Sequence, residues 1–314
     1  MDSSCLLFLE LYRLFDKEME DGETITSDEL RHLVDLCNYC ALCPCPNIRA
    51  DVIRAKTQFI DRDGLKFGVR TLEDVERVGK LCGAFPKLAN MFSRNRFSGN
   101  FLKKTMGIHA ERTIPQFPDQ NFPAWVKRNR LQTKSTQSAR RKVAYFAGCT
   151  ARYLFPDVPR AAVEVLKNSG IDVYYPEQKC CGMPTMLEGD RQLTLDFVRF
   201  NVERLVEVVE DGYDIVCSCP TCGYMLRNVL SEGAYYSQEY QTSVGTDETH
   251  LILPARSGST TAGGQEFVRL QKSIYKNILK DDGYFSSLSP RKRIRVAENT
   301  YDLGAYLAKL HAAA

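Results

Sequence analysis

The stretch Val143-Ala144-Tyr145-Phe146-Ala147-Gly148-Cys149 is apolar up to a glycine and a thiol. Residues 143–146 have the composition of a short buried strand, with Cys149 at its carboxyl end. Asp157 can cap a helix through Ala161, Ala162, Val165 and Leu166 that stops at Ser169-Gly170. Ile171-Asp172-Val173-Tyr174-Tyr175 reads as a second strand, and Cys180-Cys181-Gly182 lies just past it. A long helix from about Glu188 to Glu210 carries Leu193, Phe197, Phe200, Leu205 and Val208 among its apolar positions. Asp214-Ile215-Val216 is a third strand, followed directly by Cys217, Cys219 and Cys222.

Strand, helix, strand, helix, strand implies parallel strands joined by right-handed crossovers, a Rossmann-like α/β sheet. Open parallel sheets place their sites outside the carboxyl ends of the strands. The cysteines after all three strands therefore converge on one edge, although thirty residues separate Cys149 from Cys180. That convergence is the geometry of a metal site.

The chain has 314 residues, enough for two domains with cores of their own. A net charge of +3 is too mild to indicate nucleic acid. Of the twelve cysteines, ten fall in two tight groups, which in a chain of this length favours metal over disulfides. Cys5-Leu6-Leu7-Phe8-Leu9 is apolar but is followed by Glu10 and Arg13, so it reads as neither a signal peptide nor a membrane span. The expected location is the cytoplasm, with at most a peripheral attachment to a membrane.

The second cysteine group is Cys37-Asn38-Tyr39-Cys40-Ala41-Leu42-Cys43-Pro44-Cys45-Pro46. It resembles the bacterial ferredoxin run, in which closely spaced thiolates let one loop wrap a corner of a four-iron cubane. The spacing before the final Cys-Pro departs from that pattern, with one residue in place of three. A [4Fe–4S] cubane here takes Cys37, Cys40 and Cys43, and its fourth ligand stays open between Cys45 and Cys82. Cys45 is adjacent but cramped, because proline's fixed φ limits its reach. Tetrahedral zinc is the alternative for a four-thiolate loop. Cys5 reads as a bystander, and Cys217 reads as a small buried hydrophobe. His32 and His109 have no ligand-like spacing and read as structural.

Residues 1–35 read as two helices, the first with an apolar stripe of Leu6, Leu7, Leu11, Leu14 and Phe15, the second capped by Thr26-Ser27-Asp28. Ile48–Phe59 and Asp74–Leu81 look helical. Residues 86–126, rich in Pro, Asn and Phe, read as long packed connections. Lys127 to Lys142 carries seven basic residues and no acid, which sets a domain boundary between a helical module at 1–133 and an α/β domain at 140–314. Beyond Cys222 the expectations are an exposed loop at Tyr235–Gly264, a helix at Phe267–Leu279, a strand at Arg291–Val296 and a closing helix from Tyr301 to Leu310.

Taken together, Phe146-Ala147-Gly148-Cys149, Glu177-Gln178-Lys179-Cys180-Cys181-Gly182-Met183-Pro184 and Cys219-Pro220-Thr221-Cys222 resemble the cysteine-rich CCG family. Its members include the B subunit of heterodisulfide reductase, the C subunit of anaerobic glycerol-3-phosphate dehydrogenase, and iron–sulfur subunits of glycolate and lactate oxidation. The resemblance implies ligation by Cys149, Cys180, Cys181, Cys219 and Cys222 of a four-iron cluster that is non-cubane in some members. Other CCG modules hold zinc. Family members usually continue into a second CCG module, which is absent from this sequence. No Gly-x-Gly-x-x-Gly follows a strand, so a flavin or nicotinamide donor is expected on another subunit.

Two metal sites in one chain suggest a wire. The leading expectation is an electron-transfer subunit of an anaerobic oxidoreductase complex. It would link a flavoprotein dehydrogenase or other redox subunit to a quinone or membrane subunit, a disulfide, or a further iron–sulfur acceptor, with no nucleic-acid partner. The alternatives are a catalytic reductase of the heterodisulfide type and a zinc-stabilised scaffold.

Overall fold

The computed structural model describes residues 5–40, 43, 47–135, 141–247, 249–254, 267–274, 281 and 283–312. They form two compact units. The first comprises Met1–Val78, Leu88–Ile114 and Gly182–Asp196, the second Gly79–Lys87, Pro115–Cys181 and Phe197–Ala314.

The chain starts with helices α1 (Leu6–Met19), α2 (Ser27–Asp35), α3 (Asn47–Asp63), α4 (Phe67–Glu73), α5 (Val75–Ala84), α6 (Pro86–Arg94) and α7 (Arg96–Met106). A capping box opens α2: Thr26 Oγ1 accepts from the Glu29 amide, and the Glu29 carboxylate accepts from the Thr26 amide at 3.0 Å. The same carboxylate binds Lys17 Nζ at 3.0 Å and Arg13 Nη2 at 3.3 Å, so the end of α1 meets the start of α2 and the two helices run antiparallel. Only part of the apolar stripe expected on α1 faces inward. Leu7 and Leu14 are buried, while Leu6, Leu11 and Phe15 are exposed.

Residues 86–106 are helical, where packed connections were expected. Pro86 occupies the first position of α6, and Asn95 caps α7 through the amides of Phe97 and Ser98. Gly107, at φ +67°, ends α7. Phe97 and Phe101, two of the aromatic residues that suggested a connection, lie on the solvent-facing surface of α7, 86% and 69% exposed. Irregular chain runs from Ile108 to Asn121, as the proline content implied.

The second half begins with α8 (Phe122–Arg128), β1 (Lys142–Phe146), α9 (Cys149–Tyr153), α10 (Asp157–Asn168) and β2 (Asp172–Tyr174). Then come α11 (Met183–Glu188), α12 (Arg191–Glu210), β3 (Asp214–Cys217) and α13 (Pro220–Tyr224), with a π-turn at Met225–Val229. The chain closes with α14 (Gln238–Ser243), β4 (His250–Pro254), β5 (Phe267–Gln271), α15 (Pro290–Glu298), β6 (Thr300–Asp302) and α16 (Leu303–Ala312).

Four parallel strands in the order β2-β1-β3-β6 make the main sheet. Val143 lies opposite Val173 on one side and Asp214 on the other, and Phe146 lies opposite Cys217. All of β1 after Lys142 is buried, the near-continuous apolar pattern of a strand covered on both faces. Its core includes Phe122, Tyr145 and Tyr175, with Phe122 edge-on to both tyrosines at centroid distances of 6.1 and 5.3 Å.

Three expectations fail after residue 230. Arg291–Val296 belongs to α15: Pro290 starts the helix, and Arg293 is fully buried, binding Asp281 at 2.9 Å and the Leu230 carbonyl at 2.8 Å. The apolar–charged alternation of Ile294-Arg295-Val296 imitates a strand. Phe267–Gln271 is a strand paired antiparallel with β4, whereas a helix was expected; residues 275–280 lie outside the described residues. Within Tyr235–Gly264 the chain forms α14, capped by Ser237, and then β4; 255–266 lie outside the described residues. Tyr301 joins the sheet in β6 before α16 closes the chain. Among the described residues no helix is long and apolar enough to cross a membrane.

Candidate metal centre

The connection from β1 to β2 leads to one side of β1, and the next crossover carries the chain to β3 on the other side. The carboxyl ends of β1 and β3 therefore flank a topological switch point, where open α/β sheets bind ligands. Cys149 follows β1, and Cys219 and Cys222 follow β3. Gly148, at φ +77°, makes the turn between β1 and α9, and a Cβ added there would lie 2.8 Å from Cys222 Sγ. Only glycine lets these two loops approach so closely.

Cys180 reaches the same edge because two buried amides hold its loop. Gln178 extends the end of β1 like an extra rung: its Oε1 accepts from the Ala147 amide at 2.9 Å and its Nε2 donates to the Tyr145 carbonyl at 3.1 Å. From α12, Asn201 Oδ1 accepts from the Lys179 amide and Nδ2 donates to the Cys180 carbonyl, both at 2.8 Å. Cys149 Sγ and Cys180 Sγ are consequently 3.5 Å apart. Arg152, buried on α9, donates to the Gln178 carbonyl at 2.6 Å and lies against the Tyr153 ring.

The thiols differ in acidity. Cys219 caps α13, and bonding from Cys222 and the first amides of that helix hold its pKa down to about 5 against burial. Cys222 is pushed well up by Cys181 and Cys219 and then by burial. Cys149 is pushed up by Cys180 and by burial, and Cys217 by burial and then by Cys181 and Cys219. One thiolate is thus ready in the protein alone, and buried thiols gather around it. Such a set suits a soft, multiply charged thiophilic metal centre, whose charge is what would deprotonate the remaining sulfurs. The residues fit an iron–sulfur cluster. Zinc suits the same donors. No three Cys, His, Asp or Glu side chains among the described residues surround a single point at single-ion distances.

In the first unit, Cys37 leaves α2 with its amide bonded to the Val34 carbonyl at 3.2 Å, and Cys40 is exposed. Tyr39 adopts φ +53°, turning the loop between them, and its ring carries the Arg49 guanidinium at 5.2 Å. Cys43 is half-buried; burial, then the Cys37 and Cys40 thiols, raise its pKa. Cys45 lies outside the described residues. Cys82, on α5, falls in the second unit and is half-buried, its thiol raised by burial alone.

Asn201 escaped the reading of the sequence, although it left a signal. It is a polar residue four positions after Phe197 and four before Leu205 on the buried face of α12. Gly148 and Gln178 entered only as parts of a motif. What Gln178 does was not legible, because its role depends on where β1 ends in space.

Residues 143–227 match the model of the cysteine-rich domain, CCG, so the chain carries a CCG domain over that segment. Among similar proteins, the C subunit of the anaerobic glycerol-3-phosphate dehydrogenase of Escherichia coli K12 is 26% identical over 165 residues, covering 51% of this chain and 40% of that protein. The B subunit of the fumarate reductase (CoM/CoB) of Methanothermobacter marburgensis is 35% identical over 88 residues, 27% of this chain and 17% of that one. An uncharacterized iron–sulfur protein of Methanocaldococcus jannaschii is 26% identical over 223 residues, 69% of this chain and 38% of that one. The chain spans less than half the length of each of these relatives. No solved structure matches it.

Proposed function

We propose that this chain is an iron–sulfur electron-transfer subunit of an anaerobic oxidoreductase complex. What supports the reading is the 3.5 Å approach of Cys149 Sγ to Cys180 Sγ, the packing of Cys219 and Cys222 against the Gly148 turn at the switch point of the parallel sheet, and the burial of Cys181, all inside the CCG segment. These five would hold one four-iron cluster. Cys37, Cys40 and Cys43 would hold a second, of ferredoxin type, on the helical module of 1–133, with the α/β domain of 140–314 carrying the first. Iron–sulfur clusters accept and release single electrons at potentials set by thiolate ligation, burial and hydrogen bonds to sulfur.

The chain's own part is to hold and insulate. Gln178 and Asn201 fix Cys180, Gly148 admits Cys222, and burial of Cys149, Cys180, Cys181 and Cys222 keeps water from the sulfurs. That burial supports outer-sphere electron transfer over substrate ligation, since an electron needs no open coordination position. A flavoprotein dehydrogenase or other redox subunit would supply electrons. A quinone, a disulfide or another iron–sulfur protein would receive them, or the flow would reverse.

The test is a pair of variants read by electron paramagnetic resonance of the anaerobically purified chain. Cys181→Ser is expected to remove one cluster signal and leave the other; Cys40→Ser is expected to do the reverse. Loss of both signals from either variant, with the fold intact by circular dichroism, contradicts two independent centres.

A further inference from the structure

The three thiols Cys37, Cys40 and Cys43 leave a four-iron cluster one protein ligand short, and the fold supplies a candidate that spacing along the chain concealed. We infer that Cys5 is the fourth thiolate of the N-terminal cluster, delivered by the antiparallel packing of α1 on α2. The inference rests on the iron–sulfur function proposed above.

The register of the two helices makes the case. Arg13 on α1 binds Glu29 on α2 at 3.3 Å. Cys5 lies eight residues before Arg13, and Cys37 lies eight residues after Glu29. Eight residues of helix advance about 12 Å. Because the helices are antiparallel, both steps lead in the same direction from the ion pair, and Cys5 arrives at the level of Cys37.

The core beneath agrees. Cys5 and Cys37 pack against the same buried cluster, Leu7, Val34 and Val52, as does Ile48 in the first turn of α3, where the cysteine loop ends. Cys5 therefore shares its packing cluster with residues that flank that loop on both sides.

The sulfur of Cys5 is also uncommitted to the helix it precedes. Cys5 is the N-cap of the 14-residue α1, in extended conformation, and its side chain makes no capping hydrogen bond. The first turn of α1 contains no acidic residue, so the amide dipoles there are left to favour a ligated thiolate. Ligation would release one proton from Cys5 to solvent and form one sulfur–iron bond, with no change in oxidation state.

The experiment is an alkylation footprint of the full chain, purified anaerobically, before and after its iron is stripped by a chelator. Iron and sulfide are counted, and each cysteine is read by peptide mass spectrometry after a brief pulse of iodoacetamide. Cys5 is expected to be protected together with Cys37, Cys40 and Cys43 in the loaded chain and to become modified once iron is removed. Cys5→Ser keeps an N-cap hydroxyl, so α1 should persist by circular dichroism. In that variant the N-terminal resonance should change to that of a three-iron cluster or disappear, whereas Cys82→Ser and Cys45→Ser should keep the parent spectrum. Equal modification of Cys5 with and without iron, together with an unchanged spectrum in Cys5→Ser, overturns the ligand assignment alone. A chain that binds neither iron nor sulfide overturns the proposed function and this assignment with it.

Discussion

Gly148 shows how one missing side chain can organise a centre. Its φ of +77° disfavours any other residue, and a Cβ would press on Cys222 Sγ at 2.8 Å. Gly148→Ala should lose about 1–3 kcal/mol from backbone strain alone, measured by urea unfolding. It should also lower iron retention at the CCG site while sparing the N-terminal loop. Glu73 offers a separate test in the first unit. It is buried, and burial and then the Asp190 carboxylate push its pKa from 4.5 up to about 8. Between those two values the unfolded chain has given up the proton and the folded chain still holds it. Stability must therefore fall as pH rises from about 4.5 to about 8 and level off above that. Glu73→Gln removes this dependence. The variant should match the parent near pH 4.5 and melt at a higher temperature than the parent at pH 8. Melting curves of parent and variant that shift in parallel across this range would contradict the assignment.

The elements most legible in the sequence were those whose local signals agreed with one another. β1, β2 and β3 carried dense apolar runs followed by cysteines, and the cap at Thr26-Ser27-Asp28 announced α2. Thr26→Ala should cost about 0.5–2 kcal/mol in urea unfolding, and it also removes one anchor of the carboxylate that registers α1 against α2. If unfolding were unchanged, the capping box would have no part in fixing that pair. The elements misread were those in which composition opposed the local signal. Phe97 and Phe101 suggested packed chain, yet the cap at Asn95 and the freedom of those rings to face solvent favour α7. In α15 the short alternation Ile294-Arg295-Val296 hid a helix whose buried arginine, Arg293, is satisfied by Asp281 and two carbonyls. β5 depends on pairing with β4, a long-range partner that no short window contains.

For the whole chain, the α/β architecture and the convergence of cysteines followed from strand order, because a parallel sheet brings every strand's carboxyl end to one edge. The way those cysteines are held did not follow. Gln178 and Asn201 act through backbone groups that are neighbours only in space, and Cys5 acquires its place from an antiparallel helix pair that spacing cannot show. Two cysteine groups, one on helices and one at a sheet edge, amount to a relay only if both hold redox-active metal. The decisive measurement is the iron, sulfide and zinc content of the anaerobically purified chain, with electron paramagnetic resonance of oxidised and reduced samples. About eight irons and two distinct signals, one for each four-iron centre, is the result expected of the relay. About four irons with one zinc would leave a single redox centre in the chain and contradict it.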